Sequence, residues 1–144
     1  LDSSGVSFQM GLSTGPEWIK PNLQEAQFVF PNITRTVDIL DAFHQMGVRE
    51  MMLSLGANGL LYSATQYRYR VLVPVVKNDN VVGAGDATVA GFLYGYSHGY
   101  SPLERAKWAA AFGCASAYSD RNCFSNFEEV ENCYYRLKVE EFHV

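Results

Sequence analysis

The chain has 144 residues, 48% of them hydrophobic and 18% charged, which is enough for one domain with a buried core. Its net charge of −4, with Lys and Arg scattered along the sequence, speaks against a nucleic-acid surface. No apolar run nears the roughly 18 residues of a membrane span, and the three cysteines (Cys114, Cys123, Cys133) show neither CxxC nor zinc spacing, so a reducing, cytoplasmic setting is expected.

Leu1-Asp2-Ser3-Ser4-Gly5 reads as the end of a buried strand turning into a helix. A core strand usually runs about five or six residues, so the chain reads as a piece of a longer protein. Residues 6–12 predict a short helix and 18–20 a short strand, stopped by Pro21-Asn22. Residues 23–30 predict another brief helix. Thr34 is expected as the N-cap of the next, with an apolar face running from Val37 through Leu40 and Phe43 to Met46, and Gly47 as its C-cap. Residues 51–55 form a short apolar run suited to a strand buried on both faces. Residues 60–63 and 69–76 predict further strands, antiparallel because the first connection is short. The last third reads as helical: 84–98 ending at Gly99, then 103–118 behind Ser101 and Pro102, then 127–139 behind Asn126 with Glu128, Glu129 and Glu131 near its positive end. Strands alternating with helices predict an α/β domain over residues 1–144 with a mainly parallel sheet, whose ligands gather at the carboxyl ends of the strands.

The most informative stretch is Val82-Gly83-Ala84-Gly85-Asp86-Ala87-Thr88, a glycine turn running from an extended segment into a helix. Exposed backbone N–H groups at a helix start favour phosphate or a developing oxyanion. Glycine lets the backbone approach such a ligand with no Cβ in the way. Asp86 is then placed to take a proton from an attacking hydroxyl. The competing reading is a tight turn whose aspartate merely suits the helix dipole. A second candidate is Lys20-Pro21-Asn22-Leu23-Gln24-Glu25. Asn22 and Glu25 share a helix face, where they could orient magnesium-bound water or simply form a capping box. A third is Ser54-Leu55-Gly56-Ala57-Asn58-Gly59, which suits a hairpin turn or a loop flattened against a nucleotide. The small-residue stretch 109–117 suits close helix packing or an adenine slot. His44, His98 and His143 lie on separate segments and form no metal or triad pattern.

Taken together, these three motifs resemble the carboxyl-terminal half of the ribokinase-like (phosphofructokinase-B) family of sugar kinases, in matching order and spacing. Asp2-Ser3-Ser4-Gly5, the Lys20-Pro21-Asn22 turn and the Ser54-Leu55-Gly56 turn look most like its 1-phosphofructokinase and tagatose-6-phosphate kinase branch. The resemblance implies a three-layer ribokinase-like sandwich and ATP-dependent phosphorylation of a sugar-phosphate hydroxyl with Mg2+. It implies Asp86 as general base, the amides of Ala84, Gly85 and Asp86 after Gly83 as an anion hole, and Asn22 and Glu25 serving magnesium through water. It further implies Ser54, Gly56, Ala57, Asn58 and Gly59 lining the nucleotide site, with Gly113 to Ala117 near the adenine. The chain departs from the family pattern at Val81, often threonine in relatives, and at Asn58, often aspartate. Sugar-binding residues and a lid would belong to the other half, so self-association through an uncovered apolar face is expected. The alternative is a module that binds nucleotide without transferring phosphate. A Rossmann dehydrogenase piece fits poorly, because the glycine turn comes late and lacks the third glycine of that fingerprint.

Overall fold

A computed structural model of the chain describes residues 1–74, 81–119, 123–124 and 126–142. In chain order these form α1 (Gly5–Leu12), β1 (Trp18–Ile19), α2 (Leu23–Val29), α3 (Thr36–Gln45) and β2 (Glu50–Ser54). A 3₁₀ turn (Gly56–Asn58), β3 (Leu60–Ala64), β4 (Tyr67–Leu72), α4 (Ala84–Ser97), α5 (Pro102–Tyr118), α6 (Phe127–Tyr134) and β5 (Lys138–Glu141) follow.

The strands form one sheet in the order β1-β2-β3-β4-β5. Its pleat sends alternate side chains to opposite faces. Met51, Leu53 and Leu61 pack with Phe8 and Leu12 of α1 and Ile39, Leu40 and Phe43 of α3. Met52, Leu60, Tyr62, Tyr69 and Val71 pack on the other side with Phe92 of α4 and Ala106, Ala109 and Ala110 of α5. The result is three layers, helix on sheet on helix, as expected. Burying each of the larger side chains contributes about 1.5–3 kcal/mol.

The sheet of this chain is mixed rather than mainly parallel. β1 and β2 run parallel, joined by the α2–α3 crossover, whereas the β2–β3, β3–β4 and β4–β5 pairs are antiparallel. The loops after β2 and β3 are too short for the crossover that parallel pairing requires. At its other edge β1 is flanked by Leu1, whose nitrogen donates to the Trp18 carbonyl at 2.8 Å and whose carbonyl accepts from the Lys20 amide at 3.1 Å. The strand-like reading of the opening residues therefore holds.

Two other expectations need correction. The closing helix ends at Tyr134, and residues 138–141 leave it to pair with β4, Val139 opposite Val71. A vacant sheet edge outweighed local helical pattern there. The third helix begins at Thr36 behind Arg35, which offers no side-chain cap, so Thr34 is not its N-cap. Val75, Val76 and His143, part of the expectations above, lie outside the described residues.

Candidate active site

Parallel pairing of β1 with β2 brings the ends of both strands side by side. A bridge joins Asn22 to Ser54, and the Ser54 amide donates to the Pro21 carbonyl at 3.0 Å. The turns after these two strands therefore meet at one edge of the sheet, where the head of α4 also arrives. Between them lies a cleft of about 320 Å³. Asn22, Ser54, Gly56, Ala57, Gly59, Ala84, Gly85, Gly113 and Ala117, all singled out from sequence, line it. Glu25, Asn58, Gly83 and Asp86 adjoin these residues in sequence or in the helix turn but are not among its lining residues. Ala110 and Cys114, within the small-residue stretch read as a possible adenine slot, and Lys20, Leu60, Val73, Val81 and Thr88, for which no ligand role was read from sequence, complete the wall.

The head of α4 has the geometry the glycine turn suggested. Gly83 takes a left-handed conformation, φ 83°, which a Cβ would strain, and caps the helix without any side-chain acceptor. The Ala84 amide is already used, donating to the Val81 carbonyl at 3.2 Å. Ala84 is thus removed from the expected trio of anion-holding amides. No acceptor among the described residues holds the amides of Gly85 and Asp86. Asp86, third residue of the helix, is exposed to solvent rather than turned into the core.

Among the described residues lining the cleft, Lys20 is the cation. It is only 5% exposed, lines the cleft, and pairs with Asp2 at 3.3 Å. A Cβ added to Gly85 would stand 3.4 Å from the Lys20 Nζ, so this ammonium lies directly over the first turn of α4. A buried ammonium needs more than one partner to offset its lost hydration. Asp2 is its one ion-pair partner among the described residues. The Lys-Pro-Asn pattern marks the turn in the sequence, but only the fold shows the Lys20 side chain turning toward the glycine turn.

Asn22 and Glu25 form the capping box. The Asn22 Oδ1 accepts from the Glu25 amide at 2.9 Å, and the Glu25 Oε2 accepts from the Asn22 amide at 2.8 Å. Each side chain is thereby fixed in direction while keeping oxygen lone pairs. Gly59 serves the sheet as well as the cleft: a Cβ there would sit 1.9 Å from the Val71 carbonyl oxygen. Gly113 likewise admits Thr88, whose hydroxyl would be 2.3 Å from an added Cβ and donates to the Ala84 carbonyl at 2.8 Å. Leu60, Val73, Val81, Ala110 and Ala117 give the cleft an apolar lining. A cleft lined by a cation, a free amide and apolar side chains suits a flat base carrying phosphates.

Residues 5–125 match the model of the pfkB family carbohydrate kinases. The chain is 26% identical to the 1-phosphofructokinase of Borreliella burgdorferi over 148 residues, covering 99% of this chain and 48% of that protein. It is 32% identical to the tagatose-6-phosphate kinase of Staphylococcus epidermidis over 148 residues, covering 98% and 48% respectively. Among solved structures, phosphofructokinase-2 from Escherichia coli in complex with potassium superposes with a TM-score of 0.82 at 24% identity, covering 93% of this chain and 45% of that one. Ribokinase from Thermotoga maritima superposes with a TM-score of 0.74 at 22% identity, covering 83% and 42%. The chain spans about half the length of the curated relatives it matches.

Proposed function

The chain belongs to the pfkB family of carbohydrate kinases, and from that premise we propose that it supplies the ATP-binding and proton-accepting part of a kinase acting on a hydroxyl of a hexose phosphate. The observation that carries this reading is the convergence of a buried lysine and the unengaged Gly85 amide on one cleft, with the unengaged Asp86 amide next along the same helix turn. In this reading the adenine lies in the apolar slot, against Val73, Ala110 and Ala117. The phosphates run toward Lys20 and the head of α4. The amides of Gly85 and Asp86 face the transferring phosphoryl group, where loose transition-state charge is best met by fixed dipoles. Asp86 accepts the proton of the attacking hydroxyl.

Magnesium fits this arrangement as a partner held through water. Among the described residues no three His, Cys, Asp or Glu side chains gather to cage a metal. The ion keeps most of its waters when it accompanies phosphate. Asn22 and Glu25, oriented by their capping box, would accept hydrogen bonds from those waters. When bound, the ion neutralises phosphate charge.

Turnover tests the base assignment. With ATP, magnesium and either fructose 1-phosphate or tagatose 6-phosphate, measured on the longest product of the gene, Asp86→Ala is expected to lower kcat by about 10²–10⁴-fold. Affinity for ATP should change little. Binding of ATP with no transfer to either sugar phosphate would favour the nucleotide-binding module instead. Unchanged turnover in the variant would remove Asp86 from its role.

A further inference from the structure

Leu1 is held alongside β1 by two hydrogen bonds, one from its nitrogen to the Trp18 carbonyl and one from the Lys20 amide to its carbonyl. That pairing sets the next residue, Asp2, beside Lys20. The Asp2 carboxylate meets the Lys20 Nζ at 3.3 Å. Lys20 lines the cleft and Asp2 does not. The partners also differ in their access to water: the Lys20 side chain is 6% exposed and that of Asp2 34%.

This asymmetry decides what each charge does when the pair is disturbed. An ammonium so deeply buried has lost most of its hydration and needs anionic or polar partners. A carboxylate with a third of its surface in water can be solvated when left alone. Before any phosphate binds, Asp2 supplies the anion that Lys20 requires. A phosphate arriving at Gly85, where a Cβ would stand 3.4 Å from the Lys20 Nζ, must share that ammonium with a carboxylate already paired to it. The two anions repel one another across the shared cation.

We propose that Asp2 sets the affinity of the cleft: it competes with nucleotide phosphate for Lys20 and holds binding weaker than the cleft would otherwise allow. This rests on the reading of the cleft as a nucleotide site. It goes further by giving a role to a carboxylate outside the cleft wall, opposite in sign to the role of Lys20. Such competition favours release. The ammonium that draws phosphate in has a partner to return to, and a firmer grip would slow departure of the nucleotide product.

The test is a double-mutant cycle read by calorimetric titration with magnesium–ATP, using the wild-type chain, Asp2→Asn, Lys20→Met and the double variant. Urea unfolding establishes that each is folded. Asp2→Asn keeps the side-chain shape and removes its charge, and it should bind roughly 3–10-fold more tightly than the wild type. In the Lys20→Met background the same change should alter affinity by less than about twofold, because the carboxylate then turns to water. Asp2→Ser gives the same comparison if Asp2→Asn fails to fold. Equal or weaker binding by Asp2→Asn, with Lys20→Met still impaired, would overturn the proposal and leave the nucleotide reading standing. An equal gain in both backgrounds would overturn it too, since Asp2 would then act on phosphate without Lys20. No binding by any of the folded proteins would remove the nucleotide reading and the proposal together.

Discussion

Gly113 shows how one residue can shape both packing and a cleft. As part of a small-residue stretch it suits either close helix packing or an adenine slot, and in the structure it makes room for Thr88 and lines the cleft. The Thr88 hydroxyl in turn ties the first turn of α4 by donating to the Ala84 carbonyl. Gly113→Ala would press a methyl group into that hydroxyl and close on the same carbonyl, 3.2 Å away. Overpacking of this kind costs about 1–3 kcal/mol. Urea unfolding should show a lower midpoint for Gly113→Ala, and the double variant with Thr88→Ala should recover part of the loss. Equal midpoints for wild type and Gly113→Ala would mean that α5 simply moves aside. Other residues were legible for plainer reasons. Asn22 and Glu25 at a spacing of three announce a capping box, because that motif is local. Lys20 was not legible, because its role comes from a helix more than sixty positions later.

Helices with strong end signals were placed nearly to the residue. Ser101 caps α5 by accepting from the Glu104 amide at 3.3 Å, with Pro102 as the first helical residue. Asn126 caps α6 by accepting from the Glu129 amide at 3.1 Å. The far end of α6 had no such marker, and β5 lies beyond it. Helices α5 and α6 are clasped by a polar trio. The Lys107 Nζ donates to the Tyr134 hydroxyl at 2.6 Å and to the Glu104 Oε1 at 3.1 Å, while the Tyr134 hydroxyl donates to the Glu104 Oε2. Burial alone would lower the Lys107 ammonium, but its bonds to Tyr134 and Glu104 outweigh burial and hold it above its ordinary value of 10.5. Burial, then the bond to Glu104, raises the Tyr134 phenol above 10.0. Both groups hold their protons more tightly folded than unfolded. Their contribution is therefore whole below about pH 10 and is lost as pH rises through the folded values. Tyr62, Tyr69 and Tyr94 shift the same way. The contrast with Tyr134→Phe isolates the clasp. Urea midpoints should fall for both proteins above about pH 10, and less steeply for Tyr134→Phe. Parallel declines would mean that the trio carries no pH-dependent stability.

At the scale of the molecule, the alternation of strands and helices was enough to foresee an α/β sandwich, and short connections were enough to foresee the β2–β3 hairpin. The balance of parallel and antiparallel pairs was not, since β4 and β5 are brought together by α4, α5 and α6 rather than by a turn. The site was legible because three turns distant in sequence each carried a local signature, and the parallel β1–β2 pair assembles two of them at one sheet edge. The apolar wall from Leu60 and Val73 was invisible beforehand, since such residues look like ordinary core until a cleft opens beside them. The account stands on Lys20 and the head of α4 acting together on phosphate, and calorimetric titration of the chain with magnesium–ATP tests this most directly. One saturable site is expected in the wild type. Lys20→Met should bind roughly 10–100-fold more weakly, as loss of a charged hydrogen bond worth about 1.5–3 kcal/mol requires. Equal affinity in the two proteins, or no binding to a folded wild-type chain, would contradict it.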